Sequence, residues 1–157
     1  MADDTEGTGG LDAGTETAAL REALVAEHAA VWGYGVVGAA LDEGARAPAT
    51  EAETAHRDIR DQLTALLEDR DAEPVRAEGA YALPFPVLSA VDAARLAVVL
   101  EDGVAAAWVR VLDQAAERPA RELAVGQLSA TERRAVAWRT TAGQTPVTSA
   151  FPGLPDD

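Results

Sequence analysis

Apolar residues recur at intervals of three and four along four separate stretches of the chain. In the first stretch, Leu20, Leu24 and Val31 fall on one face of a helix. This periodicity is typical of amphipathic helices that bury one stripe against their neighbours. The pattern predicts four helices, at about residues 15–42, 50–70, 90–117 and 120–142.

Local signals mark two of the predicted helix ends. Thr50 followed three residues later by Glu53 fits a capping box that begins helix two. Gly143 fits the C-terminal cap of helix four. Inside helix one, several glycines each lower the helix propensity by about 1 kcal/mol relative to alanine, so we expect a neighbouring backbone to pack closely against them. They are Gly33, Gly35 and Gly38.

The segment at residues 71–90 contains three prolines and a glycine among apolar residues such as Tyr81 and Phe85. It has too many breakers for a helix and too much apolar surface for a free linker, so it predicts a long crossover packed on the bundle. The fold class is therefore an all-α, ferritin-like antiparallel four-helix bundle with one long crossover between helices two and three. The predicted divisions are a disordered acidic tail (1–14), the bundle (15–142) and a C-terminal extension (143–157).

Composition narrows the classes of function. The 27 acidic and 13 basic residues give a net charge of −14, which disfavours binding to nucleic acids and anionic membranes. The chain has no cysteine, so any metal would need carboxylate and imidazole ligands, which suit iron, manganese or zinc. Neither a signal-peptide pattern nor an apolar run of roughly 20 residues is visible, and we expect a cytoplasmic protein.

Three ionisable residues interrupt the apolar stripes of the first three helices. Glu27 lies between Leu24 and Val31, His56 lies one turn before Ile59, and Glu101 lies between Val98 and Ala105. Because a buried charge is costly without a partner, each position needs an explanation beyond packing. The pattern names a set of candidate metal ligands, in which Glu53 and His56 form a Glu-x-x-His pair on one helix face: Glu27, Glu53, His56 and Glu101.

A complete di-metal site is not expected, because helix four offers no second Glu-x-x-His pair. The chain has no histidine after position 56, and Arg133, Arg134 and Arg139 occupy the region where that pair would lie. The alternative is a set of buried ion pairs, in which a guanidinium fills the space of a metal. The guanidinium candidates for these pairs are Arg57, Arg60 and Arg139.

From about residue 20 to residue 154, short motifs are spread along most of the chain. Through them, the chain resembles the actinobacterial ferritin-like family of unknown function. The resemblance implies a ferritin-like fold and carries no activity. The motifs are Ala26-Glu27-His28-Ala29, Tyr34-Gly35-Val36-Val37-Gly38, His56-Arg57, Tyr81-Ala82-Leu83-Pro84, Glu101-Asp102, Trp138-Arg139 and Phe151-Pro152-Gly153.

Three hypotheses for function follow, and the sequence does not decide whether the chain is an enzyme. The first is a non-catalytic or degenerate bundle that acts through binding or assembly, as a homodimer formed through Trp32, with no cofactor and with an unidentified protein or small-molecule partner. The second is a metal-carboxylate protein that binds iron or manganese and resembles an oxidoreductase. The third is a small-ligand pocket bordered by Tyr34, Tyr81 and Trp108.

Overall fold

The computed structural model describes residues 12–155. Over this range the chain forms helices and no strand, so the predicted all-α bundle is confirmed. Helix one begins inside the predicted tail, of which residues 1–11 lie outside the described residues. The helices are α1 (Ala13–Ala39), α2 (Ala47–Glu68), α3 (Ala90–Gln114) and α4 (Arg118–Thr141), with a short 3-10 turn (Glu43–Ala45) before α2.

Side chains cap the N-termini of two of these helices. The carboxylate of Asp12 accepts the backbone N–H of Thr15 at 2.7 Å, which satisfies one of the free donors in the first turn of α1. At the start of α3, the hydroxyl of Ser89 accepts the backbone N–H of Asp92 at 3.1 Å. These caps fix where each helix starts, so the chain enters α3 directly from the crossover.

The start of α2 differs from the sequence prediction. The capping box at Thr50 is wrong, because α2 begins three residues earlier at Ala47. Pro48 lies in the first turn, where its missing N–H leaves no helical hydrogen bond unmade. The backbone N–H of Thr50 is already bonded within the helix, to the carbonyl of Arg46 at 3.0 Å.

The helices pack in a row that does not close. Helix α1 packs along α2 and α3, and α3 packs along α4, whereas α2 and α4 make at most a marginal contact. Of the three glycines expected to pack closely, only Gly33 lies at a close approach, since a Cβ there would come within 2.6 Å of the Leu100 side chain. Gly35 and Gly38 have open space around them, so the expected close packing is wrong at these two positions.

The crossover between α2 and α3 runs along the outer face of α1. The ring of His28 bonds the carbonyl of Val75 at 3.0 Å, and the rings of Trp32 and Tyr81 pack with centroids 5.8 Å apart. The predicted crossover is therefore confirmed. The ring of Tyr81 thus covers part of Trp32, the residue through which the homodimer is predicted to form. The homodimer stays a prediction.

The segment after α4 turns back onto α3. Gly143 adopts a left-handed φ of 67° and donates to the carbonyl of Thr140, while Gln144 donates to the carbonyl of Arg139, so the predicted glycine cap is present. Further along, Gly153 has a φ of 79° and lies so close to α3 that a Cβ would come within 2.6 Å of the Ala105 carbonyl oxygen.

We expect Gly153→Ala to lower the free energy of unfolding by about 1–2 kcal/mol, because alanine disfavours the left-handed conformation and its Cβ would meet the α3 backbone. Chemical denaturation measures this loss, and limited proteolysis measures release of the C-terminal segment. Gly79→Ala is the matched control, since Gly79 has open space around it. An equal loss of unfolding free energy in the two variants would contradict this explanation.

Candidate functional site

The buried core consists of two apolar clusters, and every helix contributes to both. Each helix also turns one ionisable side chain toward the core; on α2, α3 and α4 it lies between the residues of the two clusters, and on α1 it lies between Leu24 and Ala30 of the first cluster. This polar layer is the candidate site. Its charged members are Glu27 on α1, His56 on α2, Glu101 on α3 and Arg134 on α4.

His56 is at the centre of the polar layer and is 1% exposed. Its Nδ1 lies 2.6 Å from Oε2 of Glu27, and its Nε2 lies 3.2 Å from Oε1 of Glu101. A carboxylate can only accept these hydrogen bonds, so both ring nitrogens must carry hydrogen. The geometry therefore favours a positively charged imidazolium that joins α1, α2 and α3.

Glu27 is satisfied through both carboxylate oxygens. Oε2 accepts from His56, and Oε1 accepts from the indole N–H of Trp108 at 3.1 Å. Trp108 is fully buried, so its N–H also needs a partner inside the core. The two requirements are met together, and the ring of Trp108 fixes the carboxylate in place.

Glu101 is satisfied through one oxygen alone. Its Oε1 accepts from the hydroxyl of Tyr34 at 2.5 Å, from His56, and from Nε of Arg134 at 2.8 Å. Its Oε2 is buried and has no hydrogen-bond partner among the described residues. Arg134 also donates to the hydroxyl of Thr131 at 3.3 Å, which holds the guanidinium against α3.

The pKa values of the polar layer follow from these contacts. Burial alone would lower the pKa of His56, but the hydrogen bonds and charges of Glu101 and Glu27 outweigh it and raise that pKa to about 9. Burial would raise the pKa of Glu101, yet His56 and Arg134 hold it below its usual value. Burial and the neighbouring Glu101 raise the pKa of Tyr34, so this hydroxyl remains a donor.

The structure brings together three of the four candidate ligands. Glu27, His56 and Glu101 meet in the core, whereas Glu53 lies at the surface and pairs with Arg57 at 2.5 Å. A Glu-x-x-His spacing places two side chains near one another, but here the helix turns Glu53 toward solvent. Glu53 therefore does not join the cluster.

The guanidinium candidates also lie elsewhere. Arg57 pairs with Glu53, Arg60 pairs with the exposed Asp61, and Arg139 binds Asp102 and Glu132 near the C-terminal segment. None of these three contacts the buried carboxylates. The guanidinium that pairs with Glu101 is that of Arg134. An arginine partner was expected from the sequence, and Arg134 lies on the same helix as the candidate Arg139, but its position was not predicted.

A third buried carboxylate was not found from the sequence. Glu16 is fully buried at the start of α1, where it forms an ion pair with Arg70 and accepts the backbone N–H of Glu117 at 2.8 Å. Burial would raise the pKa of Glu16, but these donors lower it. Its partners lie far away in the chain, so only the folded structure shows why an acidic residue is tolerated there.

A di-metal centre needs carboxylates and imidazoles with lone pairs directed at a common point. In this cluster both nitrogens of His56 face carboxylates, and a guanidinium lies against Glu101. Within residues 12–155, no group of three or more His, Asp or Glu side chains is arranged to hold a metal ion. The residues of the cluster therefore do not match the six-ligand pattern of a ferritin-like di-metal site.

The third hypothesis, a pocket bordered by Tyr34, Tyr81 and Trp108, does not match the observed cavities. Tyr34 borders a cleft between α1 and α2, whereas Trp108 is enclosed in the core and Tyr81 packs outside α1. Tyr34 and Trp108 both bond carboxylates of the polar layer, whereas Tyr81 packs on Trp32, so the three rings do not come together. No helix among residues 12–155 is both long enough and apolar enough to cross a membrane.

Comparison with known proteins places the chain in a family. The family model described as a domain of unknown function (DUF4439) matches residues 19–156. The chain belongs to this family. A similar solved structure is that of a conserved hypothetical protein, rv2844, from Mycobacterium tuberculosis, which is 36% identical with a TM-score of 0.80. The match covers 82% of this chain and 98% of that chain, and no curated protein matches.

These matches agree with the fold and with an unassigned function. Neither description names a ferritin-like fold, a ligand, a metal or a reaction. The four-helix architecture is thus shown, and neither match assigns a chemistry to the polar layer.

We expect the stability of the protein to fall as the pH rises from about 7 to 10. The pKa of His56 is raised to about 9 from an unfolded value of 6.5, so its contribution is complete below pH 6.5 and is lost as the pH passes the folded value. The full loss is on the order of 3 kcal/mol. Urea unfolding at a series of pH values measures it. His56→Gln removes the titrating group, and an unchanged pH dependence in that variant would contradict the assignment.

We expect Arg134→Met to destabilise the protein by about 3 kcal/mol, because it leaves the buried Glu101 without its guanidinium. Arg60→Met is the matched control, since Arg60 pairs only with an exposed carboxylate and its loss changes stability by about 0.5 kcal/mol or less. Denaturant unfolding compares the two variants. A larger loss of stability in Arg60→Met than in Arg134→Met would indicate that Arg60, the candidate from the sequence, is the partner of the buried carboxylate.

Proposed function

We propose that this protein is a non-catalytic helical bundle that acts by binding, and that its buried polar layer is a structural ion-pair network. The observation that carries the proposal is the double use of His56, whose two ring nitrogens are both engaged by carboxylates. An imidazole held in this way has no free lone pair. It can neither ligate a metal nor accept a proton from a substrate.

The charge balance of the layer supports the same conclusion. The carboxylates of Glu27 and Glu101 face two cations, His56 and Arg134, so the buried charges sum to zero. A divalent ion entering this layer would have to expel a proton and move a guanidinium. Breaking a buried pair costs about 3–5 kcal/mol, which a metal bound by few ligands would first have to offset.

The layer is also closed to substrates. Glu27, His56 and Glu101 are each 1% exposed or less, and the side chains around them are Trp108 and Tyr34, both buried. A catalytic centre needs a reacting atom within hydrogen-bond distance of its acid or base. Binding at another part of the surface is consistent with this arrangement, and the open edge between α2 and α4 offers a place for it.

A metal-carboxylate protein is the second candidate. One observation favours it, namely that Oε2 of Glu101 is buried without a hydrogen-bond partner among the described residues. A cation at this oxygen would satisfy it, and Glu27 and His56 lie in the same cluster. For iron or manganese to bind, His56 would have to lose a proton whose pKa is about 9.

We expect added iron(II) or manganese(II) to leave the melting temperature unchanged at neutral pH, because the carboxylates are already neutralised. Differential scanning calorimetry on protein purified without a polyhistidine tag measures this, together with metal analysis of the purified protein. If an open site existed, a metal at 100 times its dissociation constant would stabilise the fold by about 2.7 kcal/mol.

His56→Ala and Glu53→Ala separate the candidates in the same experiment. A saturable, stoichiometric rise in melting temperature that disappears in His56→Ala would support the metal-binding candidate and overturn our proposal. Loss of the rise in Glu53→Ala as well would return Glu53 to the ligand set, despite its surface position.

A further inference from the structure

The unpacked edge between α2 and α4 forms a cavity of about 650 Å³. Pockets that bind small organic ligands have volumes of roughly 300–1,000 Å³, so this one has a suitable size. It is distinct from the enclosed part of the polar layer, which consists of Glu27, His56 and Glu101. The two are connected by one residue, because Arg134 lines the cavity and also pairs with Glu101.

Most of the cavity wall is apolar. Leu41, Pro48 and Ala52 contribute from the side of α2, and Ala137 and Trp138 contribute from α4. Such a wall favours a ligand with an apolar body, because each buried CH2 group contributes about 0.8 kcal/mol. Alanines on both helices keep the space open, since they are too short to meet across it.

The polar groups at the cavity are few. Arg133 lines it and has no ion-pair or hydrogen-bond partner among residues 12–155. Arg134 uses Nε for Glu101 and one donor for Thr131, which leaves further N–H donors of its guanidinium. Adjacent guanidinium groups suit an anionic head group. Glu51 also lines the cavity and is exposed. Its carboxylate repels negative charge, which disfavours a ligand with more than one negative group.

We propose that the α2–α4 cavity binds a small amphipathic monocarboxylate, with its carboxylate at Arg133 and its apolar chain against the alanines and Trp138. This inference rests on the proposed function, because it identifies the ligand class of a non-catalytic binding protein. A single negative charge fits best, since Arg133 is the one uncommitted guanidinium at the cavity and Glu51 repels a second charge. Because the chain has a net charge of −14, an anionic ligand is attracted to this positive site rather than to the acidic surface around it.

Decanoate is the probe, titrated into the full chain by calorimetry in chelator-containing buffer so that bound metal plays no part. We expect saturable binding of one decanoate, with decanol and decyltrimethylammonium binding at least tenfold more weakly because they lack the carboxylate. Arg133→Gln is expected to weaken decanoate binding roughly tenfold. Arg118→Gln is the matched control on the same helix, since Arg118 is exposed and pairs with Glu122 away from the cavity.

Bulky substitutions test the apolar part of the site. Ala137→Trp fills the cavity from an exposed position of α4, and Ala55→Phe fills it from α2, so either folded variant is expected to lose binding. Val125→Trp adds the same bulk at an exposed position of α4 outside the cavity and is expected to bind normally. Circular dichroism establishes that each variant is folded.

Several outcomes would overturn the inference. They are the absence of saturable decanoate binding, equal binding of decanol, and full binding by both filled variants. A dimer in sedimentation experiments that dissociates in Ala137→Trp, without decanoate binding, would assign the cavity to a second copy of the chain. Each result leaves the metal test untouched, so failure here is distinguishable from failure of the proposed function.

Discussion

A carboxylate cannot remain ionised inside an apolar core unless a cation is buried with it, and this constraint organises the whole bundle. Glu27 and Glu101 lie on different helices, and the imidazolium of His56 from a third helix lies between them. Arg134 brings the charge of the fourth helix. No two of these helices can shift along one another without separating a buried charge from its partner.

The same layer gives the bundle its register. Apolar side chains of alanine and leucine tolerate sliding and repacking, because one methyl contact resembles another. Hydrogen bonds at 2.6–3.2 Å between His56 and its carboxylates do not tolerate it. Trp108 and Tyr34 extend this restriction to the two apolar clusters, since each ring belongs to a cluster and also bonds a carboxylate. We infer that the polar layer contributes specificity of packing as much as stability.

The open edge follows from the order of helix packing. Arg134 is drawn toward Glu101 on α3, and its bond to Thr131 keeps the side chain on that face of α4. α2 is held toward α1 and α3 through His56. With α2 packed on α1 and α4 packed on α3, the alanines on the facing sides of α2 and α4 do not reach each other. The cavity is thus a consequence of where the charges lie.

Local periodicity predicted the helices and three members of the polar layer, and the prolines and glycine among apolar residues predicted the crossover. A charged residue that interrupts an apolar stripe is visible without the structure, as at Glu27, His56 and Glu101. Arg134 follows the same rule, since it lies three residues after Thr131 and four before Trp138 on the inner stripe of α4. Arg134 was not distinguished from the neighbouring arginines, because the many alanines of α4 make its buried face hard to define from the sequence.

Other features depend on contacts that are distant in sequence. Glu16 is buried because Arg70 and the start of α4 converge on it, and nothing near residue 16 indicates this. Glu53 has the right spacing from His56 for a shared ligand set, but a residue three positions away on a helix can still face solvent at the edge of the stripe. Arg57 at the next turn gives it a partner there.

Two residues three positions apart on α4 correspond to a ligand pair of di-metal bundles. Such bundles place a Glu and a His three residues apart on two of their helices. In this chain the corresponding spacing on α4 holds Thr131 and Arg134, which bond each other at 3.3 Å. Threonine removes one carboxylate, and a permanently charged guanidinium cannot act as a ligand. With Glu53 outside the core, only two carboxylates remain, and two monovalent cations are enough to balance them. The proton on His56 and the guanidinium of Arg134 thereby perform the neutralisation that metal ions perform where four or more carboxylates converge.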